Sequence, residues 1–112
     1  MRVGAIDCGT NSIRLLIADV SDDERPLVDI VRRMRIVRLG EGVDRTGEFS
    51  PAALSRTFTA CEEYADLLSA HPVTSLRFVA TSASRDVSNR AAFVDGVRDR
   101  LGVELSPQIE VW

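Results

Sequence analysis

The sequence predicts an α/β domain: a mixed sheet built in the order β-β-β-α-β-α-β. Three observations carry that expectation. Two apolar runs open the chain with only a short polar loop between them, which makes them antiparallel neighbours. Ser50-Pro51 then begins a stretch with apolar residues at helical spacing. Beyond it, short apolar runs alternate with a second helical stretch, as in strand–helix–strand units.

Val3 to Ile6 reads as a buried strand that stops at Asp7. Cys8-Gly9-Thr10-Asn11-Ser12 is a small polar turn, and Ile13 to Val20, β-branched and apolar, is the second strand. Ser21 to Pro26 is a polar turn. Leu27 to Leu39 reads as the third strand, with Ile30, Arg32, Met34, Ile36 and Arg38 on one face and Val31, Arg33, Arg35 and Val37 on the other. So many arginines place it partly in solvent or near an edge. Gly40-Glu41-Gly42 ends it.

Ser50 as N-cap and Pro51 at the first helical position start a helix whose expected core stripe is Leu54, Phe58, Cys61, Ala65 and Leu68. His71-Pro72 stops it. Leu76 to Ala80 is the fourth strand, leading into the loop Thr81-Ser82-Ala83-Ser84-Arg85-Asp86. Ser88 or Asn89 caps a second helix with Phe93, Val94, Val97 and Leu101 as its core face and Gly102 as its stop. Ser106-Pro107-Gln108 reads as a loop, and Ile109 to Trp112 as the start of a fifth strand. This order matches half of the ribonuclease-H-like fold shared by actin, Hsp70 and the sugar kinases.

Composition narrows the function classes. With 112 residues there is room for one domain, and 45% hydrophobic with 28% charged residues is an ordinary globular balance, not a disordered one. Apolar runs such as Leu15 to Ala18 are far too short to span a bilayer, and Asp7 interrupts the N-terminus before a signal-peptide core can form. A cytoplasmic protein with no membrane partner is expected. Net charge of −3 argues against a general nucleic-acid binder. Cys8, Cys61 and the single His71 cannot assemble a zinc site, and a disulfide framework is not expected.

The segment Val3 to Ser12 carries the strongest chemical signal. A strand delivers the Asp7 carboxylate, then a tight turn offers backbone amides and two hydroxyls; Gly9 lets a ligand approach the backbone. Consecutive turn amides suit phosphate oxygens, and a strand-end carboxylate suits hydrated Mg²⁺. The same residues also make an ordinary hairpin turn, so both readings stand at this point. Cys8 to Arg14 fits the C-x5-R spacing of thiol phosphatases as well. Asp7 opposes a thiolate, though, and Arg14 opens a strand-like run where that chemistry needs a helix.

Three stretches, AIDCGTNSIRLLIADV, RIVRLGEGVD and FVATSASRDVSNRAAF, occur in this order and resemble successive signatures of the exopolyphosphatase / guanosine pentaphosphate phosphohydrolase family. The resemblance covers nearly the whole chain and is nearest to actinobacterial members. It implies removal of terminal phosphate from polyphosphate or guanosine pentaphosphate, with Mg²⁺. By that resemblance Asp7 sits at the metal, and Gly9, Thr10, Asn11 and Ser12 sit at the phosphates. Arg85 faces the polyanion and Arg38 is a further candidate, although an arginine in either place can also be a solvated surface charge.

In that family a strand like Ile109 to Trp112 runs into a Ser-Gly-x-Glu-Glu-Ala segment holding the catalytic glutamate. Neither Glu104 nor Glu110 stands in such a motif, so no catalytic residue is assigned. Residues 1–112 are expected to be the N-terminal lobe of a two-lobe phosphatase, truncated before that glutamate and inactive alone. Two other classes remain: an ATP-binding lobe of a sugar-kinase or chaperone-like protein, and an interaction module that self-associates through an exposed face and edge.

Overall fold

Period-two alternation in the opening strands gives the sheet one dry face. The computed structural model describes residues 1–21, 27–80, 87–101 and 109–111. In it β1 (Arg2–Cys8) and β2 (Ser12–Asp19) form an antiparallel hairpin, and β3 (Val28–Ile36) joins β2 antiparallel. On the other side of β1, β4 (Ser75–Ala80) and β5 (Ile109–Val111) add in parallel. The strand order is β3-β2-β1-β4-β5. Three helices complete the chain order: α1 (Val43–Thr46), α2 (Pro51–Ala70) and α3 (Arg90–Leu101). This is the α/β, ribonuclease-H-like half that the sequence predicts.

The dry face is built from Ile6 and Cys8, then Ile13, Leu15 and Ile17, then Leu76, Phe78 and Ala80, all buried in one core with Cys61 and Tyr64 of α2 and Phe93, Val97 and Leu101 of α3. Phe93 links two aromatic neighbours, edge-on to Phe49 at 5.4 Å and tilted to Phe78 at 6.2 Å. Ala5, Asp7, Arg14, Met34 and Arg77 lie exposed on the opposite face. A groove of about 660 Å³ runs there, with Leu16 and Val79 in its floor.

Four local expectations change. The third strand ends at Ile36 rather than Leu39, because the Val37 and Arg38 amides both turn to the Asn11 carbonyl, each at 2.9 Å. A one-turn helix, α1, follows where only a strand end was expected; Gly42 (φ 80°) and Gly47 (φ 75°) bracket it in the left-handed conformation. On α2 the buried stripe is Ala53, Thr57, Ala60, Cys61 and Tyr64, while Leu54, Phe58, Ala65 and Leu68 are only partly buried.

Small residues let α2 sit close on the sheet, and the Tyr64 hydroxyl satisfies itself by donating to the Ile13 carbonyl at 2.7 Å. Phe58 turns instead toward α3, where a Cβ on Gly96 would fall 2.2 Å from its ring. Lastly, Asn89 precedes α3 as expected, but its side chain grips the backbone of Phe49, accepting from its amide at 2.9 Å and donating to its carbonyl at 3.0 Å.

Ser50 caps α2 through Ala53 N at 3.0 Å, and α2 stops before His71, both as read from the sequence. β3 is an edge strand, again as expected. The polar turn at 22–26, the loop 81–86, the helix stop at Gly102, the loop at Ser106-Pro107-Gln108 and Trp112 lie outside the described residues.

Candidate phosphate-binding site

The site is a consequence of strand polarity. β1, β4 and β5 run parallel, so Cys8, Ala80 and Val111 lie side by side at one end of the sheet. Ligands of open α/β sheets bind at that carboxyl end. Asp7, the last residue but one of β1, is exposed there on the open face, with Arg14 opposite it on β2 and Val79 on β4. Among the described residues the Asp7 carboxylate meets no cation within ion-pair distance, and no cluster of three or more metal-ligating side chains forms.

The β1–β2 turn is folded onto the segment 37–40. Gly40 N donates to Thr10 O at 2.9 Å, and Val37 N and Arg38 N both donate to Asn11 O. Gly40 packs so closely that a Cβ would lie 3.2 Å from that of Thr10. A trans peptide points its N–H opposite its C=O. With the Thr10 and Asn11 carbonyls turned inward, the Asn11 and Ser12 amides therefore point the other way. Among the described residues no backbone carbonyl accepts from the Thr10 or Asn11 amide. Gly9 differs: its amide is taken by Ser12 O at 2.8 Å, so it closes the hairpin and is not a free donor. Among the described residues the turn amides without a backbone acceptor are accordingly those of Thr10 and Asn11.

Arg38 stands at the rim of this turn with an exposed side chain and a φ of 50°, the one positive φ outside glycine among the described residues. Arg85, the other expected phosphate contact, lies outside the described residues; β4 ends at Ala80, paired with Cys8, and so brings the chain to the same end of the sheet. One contributor is absent from the sequence reading. Arg56 of α2 donates Nε to Val37 O at 2.8 Å, with Nη2 3.4 Å from Arg38 O and 3.1 Å from Glu41 Oε2. No local pattern announces it, because on a helix an arginine between Ser55 and Thr57 looks like any surface charge.

The thiol-phosphatase spacing does not produce a thiol site. Cys8 is buried facing the helices, while Arg14 lies on the other face of the sheet within β2. Burial, with Cys61 and Asp7 nearby, raises the Cys8 thiol far above its ordinary range, so no thiolate forms at neutral pH. His71 closes α2 through its amide to Leu67 O.

Comparison with known proteins bears on the family and the fold. Residues 16–111 match the profile of the Ppx/GppA phosphatase family. The chain is 57% identical over 106 residues to Exopolyphosphatase 2 of Mycobacterium tuberculosis, covering 93% of this chain and 33% of that protein. It is 30% identical over 99 residues to the guanosine-5'-triphosphate,3'-diphosphate pyrophosphatase of Photobacterium profundum, covering 88% of this chain and 19% of that protein. The crystal structure of the Aquifex aeolicus Ppx/GppA family member superposes with a TM-score of 0.87 at 34% identity, over 100% of this chain and 35% of the other. The chain thus spans a third or less of the curated relatives it is compared with here.

Proposed function

The chain belongs to the Ppx/GppA phosphatase family, and on that premise we propose that it is the phosphate-binding, N-terminal lobe of a two-lobe enzyme that removes terminal phosphate from polyphosphate or guanosine pentaphosphate. One observation carries the reading. The Thr10 and Asn11 carbonyls are both drawn into the protein by amides of 37–40, which turns the amides of the same peptides outward, beside a strand-end carboxylate. An anionic oxygen fits such a concavity; a cation does not.

Mg²⁺ fits as a partner of the substrate. Asp7 alone of the described residues would hold it, with water and phosphate oxygens completing the shell, the arrangement this ion prefers. Its chemistry there is neutralisation of phosphate charge. Arg38, and Arg85 by its place in the sequence pattern, supply further positive charge to the chain of phosphates. Phosphoanhydride hydrolysis also needs a positioned water and a base. Asp7, the acid beside the turn, is given to the metal here, and Glu41, next to Gly40 of the segment packed on the turn, is committed to Arg56. Binding without turnover is therefore assigned to this lobe, and the base to the remainder of the enzyme.

The family match supports this reading over a sugar-kinase-like or chaperone-like ATP lobe. A cytoplasmic location is part of the proposal, supported by two free cysteines in the core. Among the described residues no helix is long and apolar enough to cross a membrane. Self-association is also proposed, supported by the exposed Leu27, Val28, Met34 and Ile36 on and beside the edge strand.

The test pairs two assays with Mg²⁺ present. The 112-residue chain should bind inorganic tripolyphosphate in calorimetry yet release no phosphate from polyphosphate or guanosine pentaphosphate above buffer. Turnover by this chain would remove the division of labour, and absence of binding would remove the phosphate-binding assignment.

A further inference from the structure

We propose that Arg56 is a positioning residue: by holding the two carbonyls that flank Arg38, it fixes segment 37–40 and, through it, the outward aim of the turn amides. The inference rests on the phosphate-binding reading for its functional consequence, and on geometry alone for the positioning.

Two peptide planes meet at Arg38. The plane joining Val37 to Arg38 is pinned on both edges, its carbonyl by Arg56 Nε at 2.8 Å and its N–H by Asn11 O at 2.9 Å. The plane joining Arg38 to Leu39 has its carbonyl 3.4 Å from Arg56 Nη2. One rigid guanidinium thus gathers two successive carbonyls to the same side, so the residue between them bends in a helical sense, and here it takes the left-handed one. That residue is Arg38, at φ 50°. A side chain normally avoids this conformation, so something must hold it there.

Glu41 Oε2, at 3.1 Å, keeps the guanidinium from swinging away. Gly40 then arrives where its amide meets Thr10 O and its missing Cβ leaves room for the Thr10 side chain. Each link orients the next, from the helix to the segment to the turn. The hydrogen bonds of Arg56 among the described residues go to Val37, Arg38 and Glu41 and not to the turn itself.

Lysine cannot reproduce this. A point charge reaches one carbonyl or the other but does not present the fork that spans both. The experiment records amide NMR spectra of the 112-residue chain as wild type, Arg56→Lys and Arg56→Gln, first free and then titrated with inorganic tripolyphosphate. In the free spectra both variants should move the Arg38, Gly40, Thr10 and Asn11 resonances while those of Ile6, Leu15 and Phe78 stay in place. In the titration the tripolyphosphate affinity should fall about tenfold for Arg56→Gln, and less for Arg56→Lys.

Unmoved resonances at 38–40 and 10–11 would overturn the positioning role whatever the ligand does. Moved resonances with unchanged affinity would overturn its functional consequence. A wild type whose turn amides ignore tripolyphosphate would instead sink the phosphate-binding reading and leave the positioning role to stand on the free spectra. If Arg56→Gln does not fold, Glu41→Gln, which only loosens the guanidinium, should give the same pattern in weaker form; its failure to do so also counts against the proposal.

Discussion

Arg38 sits in a left-handed conformation that an L residue enters at a cost of about 1–2 kcal/mol. Glycine would adopt the same φ without that cost but would take the guanidinium away. The two consequences separate cleanly. Arg38→Gly should leave stability unchanged or raise it by up to about 1 kcal/mol in urea unfolding, while weakening tripolyphosphate binding several-fold in calorimetry. A variant that is destabilised, with binding unaffected, would mean that the conformation serves packing and not ligand. Gly9 and Arg38 also show how motif residues differ in what the fold leaves open. Both fall in motifs, yet the first spends its amide on Ser12 and only the second keeps its functional group in solvent.

At the scale of elements, the joint between β1 and α2 decides how the domain responds to alkali. Cys8 and Cys61 meet there in one core beside Tyr64. Burial raises both thiols above their ordinary value near 9, that of Cys61 to about 12, and raises Tyr64 to about 12 as well. The folded state therefore keeps protons that the unfolded chain gives up. Above about pH 8.5 the unfolded state binds fewer protons, so stability falls as pH rises, by about 1.4 kcal/mol per pH unit for each thiol fully in that window. Below it the contribution is complete and flat.

The urea midpoint should hold steady from neutrality to about pH 8 and drop beyond about pH 9. Cys61→Ala should make the drop shallower. A midpoint independent of pH up to about pH 10.5 would contradict the burial of these thiols. The helix stripe was legible only in part for a related reason. Apolar spacing picks out Leu54, Phe58 and Leu68, whereas the sheet selects the smaller Ala53, Thr57 and Ala60 and a tyrosine whose hydroxyl has a buried acceptor. Depth of approach between two surfaces is not encoded in periodicity.

For the molecule as a whole, the sheet has helices on one face and a groove of about 660 Å³ on the other. Ala5, Leu16, Met34 and Val79 give that groove an apolar lining, and Arg14, Arg32 and Arg33 line it with positive charge. The β3 edge carries arginines that discourage strand-to-strand pairing, two of them already matched: Arg32 to Asp29 at 2.8 Å and Arg35 to Glu63. Proposed self-association should therefore proceed through the apolar face, opposed by charge. Light scattering should find the average mass rising with protein concentration, and rising further in high salt as arginine repulsion is screened. A monomer at both salt levels and high concentration would refute it.

The sequence by itself determined the class, the order of the strands and of the two long helices, the edge position of β3 and the polar turn between the first two strands. Those follow from period, caps and turn residues, which act over a few positions. Only the tertiary structure decided which amides of the turn are free, why β3 ends at Ile36 and what holds Arg38 in place. Each of these depends on partners distant along the chain, Asn11 with Val37 and Arg38, or Arg56 with Val37, and hydrogen-bond partners so far apart leave no mark in local spacing.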